Sequence, residues 1–233
     1  MKLSNRLLTC AQMVQPGNIA ADVGTDHGYL PIFLLEEGIC PRVIASDIRE
    51  MPLEAAKRSA RRAGIAEGIS FFLSDGLKEL PLDTVQTVIC AGMGGDCIIG
   101  ILEQTRGIWD PAYQFILQPQ SSAGDLRKWL GEHRFSIVQE HLAQDGKFIY
   151  TAMEVRYGDG APVSPGYHYL SKALLERGDP LLGAYAARIR QSLQQTVTGL
   201  QSARVTIDPQ MLSYYETALL ELTQLEEQYE ICE

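Results

Sequence analysis

The 233-residue sequence predicts an α/β fold: a mostly parallel, Rossmann-like sheet with helices on both faces, followed by a separate helical unit. Three observations carry this. Short apolar, β-rich runs alternate with helical stretches up to about residue 160. The last two of these runs are separated only by Ala143-Gln144-Asp145-Gly146. After Gly158 the alternation stops and the pattern becomes helical.

In chain order, the strand candidates are 18–23, 43–47, 69–73, 85–90, 114–117, 136–142 and 147–155. Helical segments at 29–37, 52–63 and 96–104 separate the early ones, a spacing that makes parallel pairing with crossover helices the natural solution. The short link between the last two predicts an antiparallel hairpin. Five parallel strands closed by such a hairpin form a seven-stranded sheet, the plan of the class I methyltransferase fold. The stretch Gly158-Asp159-Gly160-Ala161-Pro162-Val163-Ser164-Pro165-Gly166 reads as a linker, so the expected units are 1–160 and 161–233. In the second, Asp179-Pro180 and Asp208-Pro209 each place an N-cap acid before a proline at the first helical position. Leu182, Tyr185, Ile189, Leu193, Thr196 and Leu200 on one helix face Leu212, Tyr215, Leu219, Leu222, Glu226 and Tyr229 on the next. Their 3-4 spacing predicts a coiled-coil-like antiparallel hairpin, read as a packing seam.

Composition bounds the function. Hydrophobic residues make up 45% and charged residues 21%, an ordinary globular balance. No apolar run reaches the ~20 residues needed to cross a bilayer, and the opening MKLSNRLLTCAQMV carries Arg6 and Gln12 and does not read as a signal peptide. Five scattered cysteines without a CxxC pair read as buried reduced thiols rather than a metal site, so a cytoplasmic chain is expected, with no membrane and no metal. A net charge of −9 argues mildly against a nucleic-acid partner. Two basic groups, Lys57, Arg58, Arg61 and Arg62, and Arg127, Lys128 and Arg134, read either as solvated helix faces or as phosphate tracks.

The most informative segment runs from Ala21 to Pro31, with Asp22, Gly24, Asp26, His27, Gly28 and Tyr29 at the end of the first strand. Its glycines permit sharp turns and close ligand approach, and ligands of open parallel sheets bind at such strand ends. It is not G-x-G-x-x-G, and its acids favour a cationic ligand over a pyrophosphate. The ammonium and sulfonium of S-adenosylmethionine meet that description better than NAD does. Asp47, ending the second strand, can accept both ribose hydroxyls, with Ile48 beside the adenine. An acid there is shared with NAD binders and does not discriminate. Asp75-Gly76 ends the third strand, where Asp75 can accept from the adenine amine, and Ala91-Gly92-Met93-Gly94-Gly95 ends the fourth. Alone, Gly94-Gly95 reads as a turn into a helix.

These motifs, D-V-G-T-D-H-G-Y-L-P, A-S-D-I, S-D-G-L and A-G-M-G-G, together resemble the bacterial tRNA adenine-22 N1-methyltransferase family, TrmK. The opening Leu3-Ser4-Asn5-Arg6-Leu7, the strand end Ile116-Leu117-Gln118-Pro119 and the acidic helical end are also similar to it. The resemblance implies methyl transfer from S-adenosylmethionine to N1 of an adenine in the tRNA D-arm. The chemistry of the residues agrees. Amino-methyltransferases commonly carry N/D-P-P-Y after the fourth strand, whereas Ala91-Gly92-Met93-Gly94 offers no side-chain acceptor and no aromatic ring. N1 of adenine has an in-plane lone pair, so placement and exclusion of water can carry the reaction. Asp26, then His27 and Tyr29, are the candidates for handling the N6 proton. Asp26 is equally suited to holding the cofactor's ammonium, His27 to ordering the loop, and Tyr29 to packing or to stacking on the flipped base. Gln118-Pro119-Gln120 borders the same rim. A small-molecule or protein methyl acceptor, and a non-catalytic nucleotide- or RNA-binding module, stay open on the residues alone. A monomer is expected.

Overall fold

The computed structural model describes residues 2–203 and 208–231. Among them, seven strands form one sheet: β1 (Ala20–Val23), β2 (Val43–Asp47), β3 (Ile69–Leu73), β4 (Thr87–Met93), β5 (Gln114–Pro119), β6 (Phe135–Asp145) and β7 (Phe148–Tyr157). The order is β3-β2-β1-β4-β5-β7-β6, with β7 entering antiparallel between β5 and β6. The connection from β3 back to β4, on the far side of β1, reverses the direction in which strands are added, which opens a crevice at the carboxyl ends of β1 and β4.

The helices are α1 (Asn5–Met13), α2 (Tyr29–Glu36), α3 (Glu50–Ala63), α4 (Gly95–Gln104), α5 (Ala123–Glu132), α6 (Lys172–Arg177), α7 (Leu182–Ser202) and α8 (Pro209–Gln228). Strand side chains alternate between two cores, as the pleat demands. Val88, Cys90, Phe115 and Leu117 pack with Ile98 and Leu102 of α4 and with Leu126 and Leu130 of α5. Their neighbours Ile89 and Ile116 face the other way, against Cys10 and Ala11 of α1 and Leu30 and Leu34 of α2. The central strands β1 and β2 are buried along their whole length, which is why they read as largely apolar runs with an acid at or next to the last position, Asp22 in β1 and Asp47 in β2.

Asp208 caps α8, accepting from Gln210 N, with Pro209 at the first helical position. The same reading fails at Asp179-Pro180, because α7 begins only at Leu182. The Asp179 carboxylate instead accepts from Leu181 N at 2.9 Å and from Leu142 N at 3.2 Å, serving the turn and the sheet together. On α7 the buried face is Leu182, Tyr185, Ala186, Leu193 and Val197; on α8 it is Ala218, Leu222, Leu225 and Glu226. Thr196 and Leu200, expected in the seam, are only partly buried.

A buried polar network ties this helical part to the sheet. Glu140 of β6 pairs with Arg127 of α5 and accepts from Thr151 of β7 and from Ser171, the N-cap of α6. Arg127 also donates to His168 O at 2.9 Å and to the Tyr185 hydroxyl of α7 at 3.3 Å. Arg127 is therefore no phosphate contact, and the second basic group predicted from sequence is broken up. Cys10, Cys40 and Cys90 are buried, whereas Cys97 is exposed, contrary to expectation, and Cys232 lies outside the described residues.

Candidate active site

The loop after β1 is held open by backbone geometry. Gly24 N and Thr25 N both donate to Ser46 O of β2, at 2.9 and 2.8 Å. Asp26 and Gly28 adopt positive φ of 51° and 72°, a conformation that Asp tolerates and glycine prefers. Gly28 is the N-cap of α2, and a Cβ there would stand 2.9 Å from Ala56 Cβ and 3.1 Å from its backbone. Only glycine lets this loop pass so close to α3.

Asp22, Gly24, Asp26, His27, Tyr29, Ala91 and Gly92 converge on one cavity of about 390 Å³, with Thr25 and Leu30 alongside. Asp22 is buried at the end of β1, and burial, helped by the nearby Asp47 carboxylate, pushes its carboxyl up to about 6. Tyr29 is 43% exposed and stacks on His27 at 5.4 Å, so its ring is not a packing element. Asp26 and His27, whose carboxylate and Nε2 lie 3.7 Å apart, also wall a second hollow of about 570 Å³ lined by Glu50, Met51 and Arg58 of α3.

Gly28, Asp47, Ile48, Asp75, Gly76 and Met93 do not line the 390 Å³ cavity but continue the same sheet edge. Asp47 is buried and accepts from Arg49 N at 2.9 Å and Asp26 N at 3.3 Å, so it also braces the β1 loop. Ile48 beside it is 62% exposed, an apolar surface without a partner in the fold. Asp75 follows Ser74, whose N–H donates to Asp47 O; its carboxylate is exposed and paired with Lys78. Met93 ends β4 after a bulge that shifts the β4–β5 register between Ala91 and Met93.

Sequence reasoning missed the roof of the cavity. Lys2, Ser4, Arg6 and Leu7, at and before the start of α1, line it. The backbone N–H groups of Asn5 and Arg6 donate to Asp145 at the tip of the β6–β7 hairpin, at 2.8 and 3.2 Å. This satisfies helix-terminal donors that have no partner within the helix. Arg6 Nη1 donates to Gln118 Oε1 at 3.0 Å and lies 3.0 Å from where a Cβ on Gly92 would be. Gln118 is fully buried and spends its amide on Pro119 O, so it braces the rim and does not reach a substrate. The usable signal was the opening L-S-N-R-L; nothing local to it reveals which strand ends it covers.

The chain has a methyltransferase architecture by every comparison. A family described as "Methyltransferase domain" matches residues 3–153. The Bacillus subtilis (strain 168) tRNA (adenine(22)-N(1))-methyltransferase is 32% identical over 159 residues, 68% of this chain and 67% of the relative. The crystal structure of the B. subtilis enzyme TrmK superposes with a TM-score of 0.78 at 27% identity, covering 98% of this chain and 97% of the other. A Streptococcus pneumoniae protein solved in complex with S-adenosyl-L-methionine gives 0.81 at 28% identity, covering 96% and 99%. The fold is that of a class I methyltransferase. The chain belongs to the tRNA (adenine(22)-N(1))-methyltransferase family.

Proposed function

We propose that this protein transfers a methyl group from S-adenosylmethionine to N1 of adenine-22 in the D-arm of tRNA, in the cytoplasm. The observation that carries the reading is a pair of buried carboxylates, Asp22 and Asp47, at adjacent strand ends beside a glycine-turned cavity. Asp22 has no cationic side chain paired with it among the described residues, so the arrangement fits a cationic small molecule. Bound S-adenosylmethionine supplies a methyl group already made electrophilic by its sulfonium. Asp22 and Asp26 hold the ammonium, Asp47 accepts from the ribose, Ile48 covers the adenine ring and Asp75 accepts from its amine. Ala91, Gly92 and Met93 leave room for the edge of the target base, and Tyr29 on His27 offers it a stacking surface. His27 receives the N6 proton, or Asp26 does where Asp22 alone holds the ammonium. Ala91-Gly92-Met93-Gly94 has no side-chain acceptor to polarise an exocyclic amine, which favours N1 over N6. Methyl transfer to unmodified tRNA followed by nucleoside analysis tests this: N1-methyladenine at position 22 is expected, and N6-methyladenine or methylated guanine overturns it.

A further inference from the structure

The antiparallel register of β7 on β5 has a consequence beyond the cofactor cavity. Leu117 pairs with Met153 and β5 ends two residues later at Pro119, so residues 148–150 run on past the end of β5, at the sheet edge that carries Asp22, Asp47 and Met93. At ~3.4 Å per residue these three residues project by about 10 Å. On it stand Phe148, 45% exposed, and Tyr150, with ring centroids 6.1 Å apart. Two cations attend Phe148: Lys147 Nζ at 5.3 Å and the Arg188 guanidinium, from α7, at 5.7 Å from the ring centroid. Arg188 Nη1 also donates to Lys147 O at 2.9 Å, which ties α7 to the hairpin tip. The nearby acid, Asp145, is already engaged with Asn5 and Arg6. Tyr150 also borders a groove of about 210 Å³, lined with it by Pro119, Gln120 and Ser121 after β5 and by Tyr185 and Ile189 of α7.

We propose that the Phe148–Tyr150 ledge, with Lys147 and Arg188, is a nucleotide subsite that takes an unstacked RNA nucleotide flanking the target adenine. The rings stack on the base, and Lys147 and Arg188 face its phosphate. An exposed phenyl ring, with a half-buried tyrosine beside it and cations adjoining, is an arrangement that binds single-stranded nucleotides without reading sequence. In a chain of net charge −9, such a local basic site also supplies attraction that the molecule as a whole lacks. The subsite rests on the tRNA methyltransferase reading and specifies how the RNA is gripped.

Steady-state methylation of unmodified tRNA tests it, using the full chain with cofactor affinity measured in parallel. Phe148→Leu should raise KM for tRNA about tenfold, the scale of one lost stacking contact, with kcat within twofold and S-adenosylmethionine affinity unchanged. Phe148→Trp should restore KM, which a merely structural role for the ring would not predict. Arg188→Gln and Lys147→Gln should each lower the slope of log affinity against log salt by about one. An active wild-type protein whose KM and salt slope are unmoved by all these changes overturns the subsite alone. A wild-type protein that transfers no methyl to tRNA overturns the functional reading, and the subsite with it.

Discussion

Asp22 stands buried at the end of β1 with another carboxylate, Asp47, near it, so its ionised form is disfavoured in the protein alone. The sign of the effect follows from the raised value of about 6 against 3.8. Between those values the folded state holds the proton more tightly than the unfolded one, so stability from this group is present below ~pH 4 and lost as pH rises through 6. At pH 7 the cost is on the order of 3 kcal/mol. Asp22→Asn should therefore raise the melting temperature of the cofactor-free protein at pH 7 while weakening S-adenosylmethionine binding. In the wild type, calorimetry should show that binding falling away below about pH 6. An unchanged melting temperature in the variant would contradict this account. Asp47→Ala should weaken cofactor binding at least tenfold, about 1.4 kcal/mol; unchanged affinity by calorimetry would remove Asp47 from the site. Cys97 should be the thiol that reacts in the native protein among the four described cysteines. Burial raises the thiol values of Cys10 and Cys40 to about 12 and 11 and pushes Cys90 up as well. Acids and glycines at strand ends were legible in sequence because their types are wrong for a core strand. Arg6 was not legible, because a lone arginine in an amphipathic helix carries no sign of what it covers.

The same divide separates the elements. β2 and β3 have the bounds the short apolar runs predict; β2 is buried along its whole length, whereas the edge strand β3 buries only Ile69 fully. The nine-residue α1 has an N-cap, Ser4, that makes no side-chain cap hydrogen bond. Its N-terminal donors are satisfied by Asp145, 140 positions from Asn5 in the chain. Asp179 deceived for a related reason: a carboxylate before proline suits a cap, yet here tertiary contact with Leu142 N sets where it points. Asp145→Ala should cost about 1 kcal/mol, the usual worth of a lost cap. It should also speed amide hydrogen exchange at Asn5 and Arg6 while leaving α2 protected. Unchanged exchange would mean that the packing of Cys10 and Ala11, not the hairpin tip, holds α1 down.

Across the whole molecule, the alternation of strands and helices foretold the layered sheet, but no local pattern announced the buried network that joins sheet and helices. Arg127 read as a surface charge because its partner, Glu140, lies on another element and both are buried only by the helical part. Glu140→Gln should destabilise the protein by about 3–5 kcal/mol, by leaving a buried guanidinium uncompensated; a denaturation midpoint close to wild type would contradict the network's importance. A chain ending near Gly158 would lose the Ser171, His168 and Tyr185 contacts and uncover Leu142. It should melt lower, still bind S-adenosylmethionine and lose most methylation of tRNA. Full activity on tRNA would show the helices to be dispensable.

The Arg127–Glu140 pair also has a mechanical meaning. Because α5, β6, α6 and α7 all meet on it, the helical arm cannot swing against the sheet without stripping a charge of its counter-charge away from water. The angle between arm and cavity is thus a stiff coordinate of the protein. An RNA that touches both must supply the compliance itself, by bending its backbone and letting a base leave the stack.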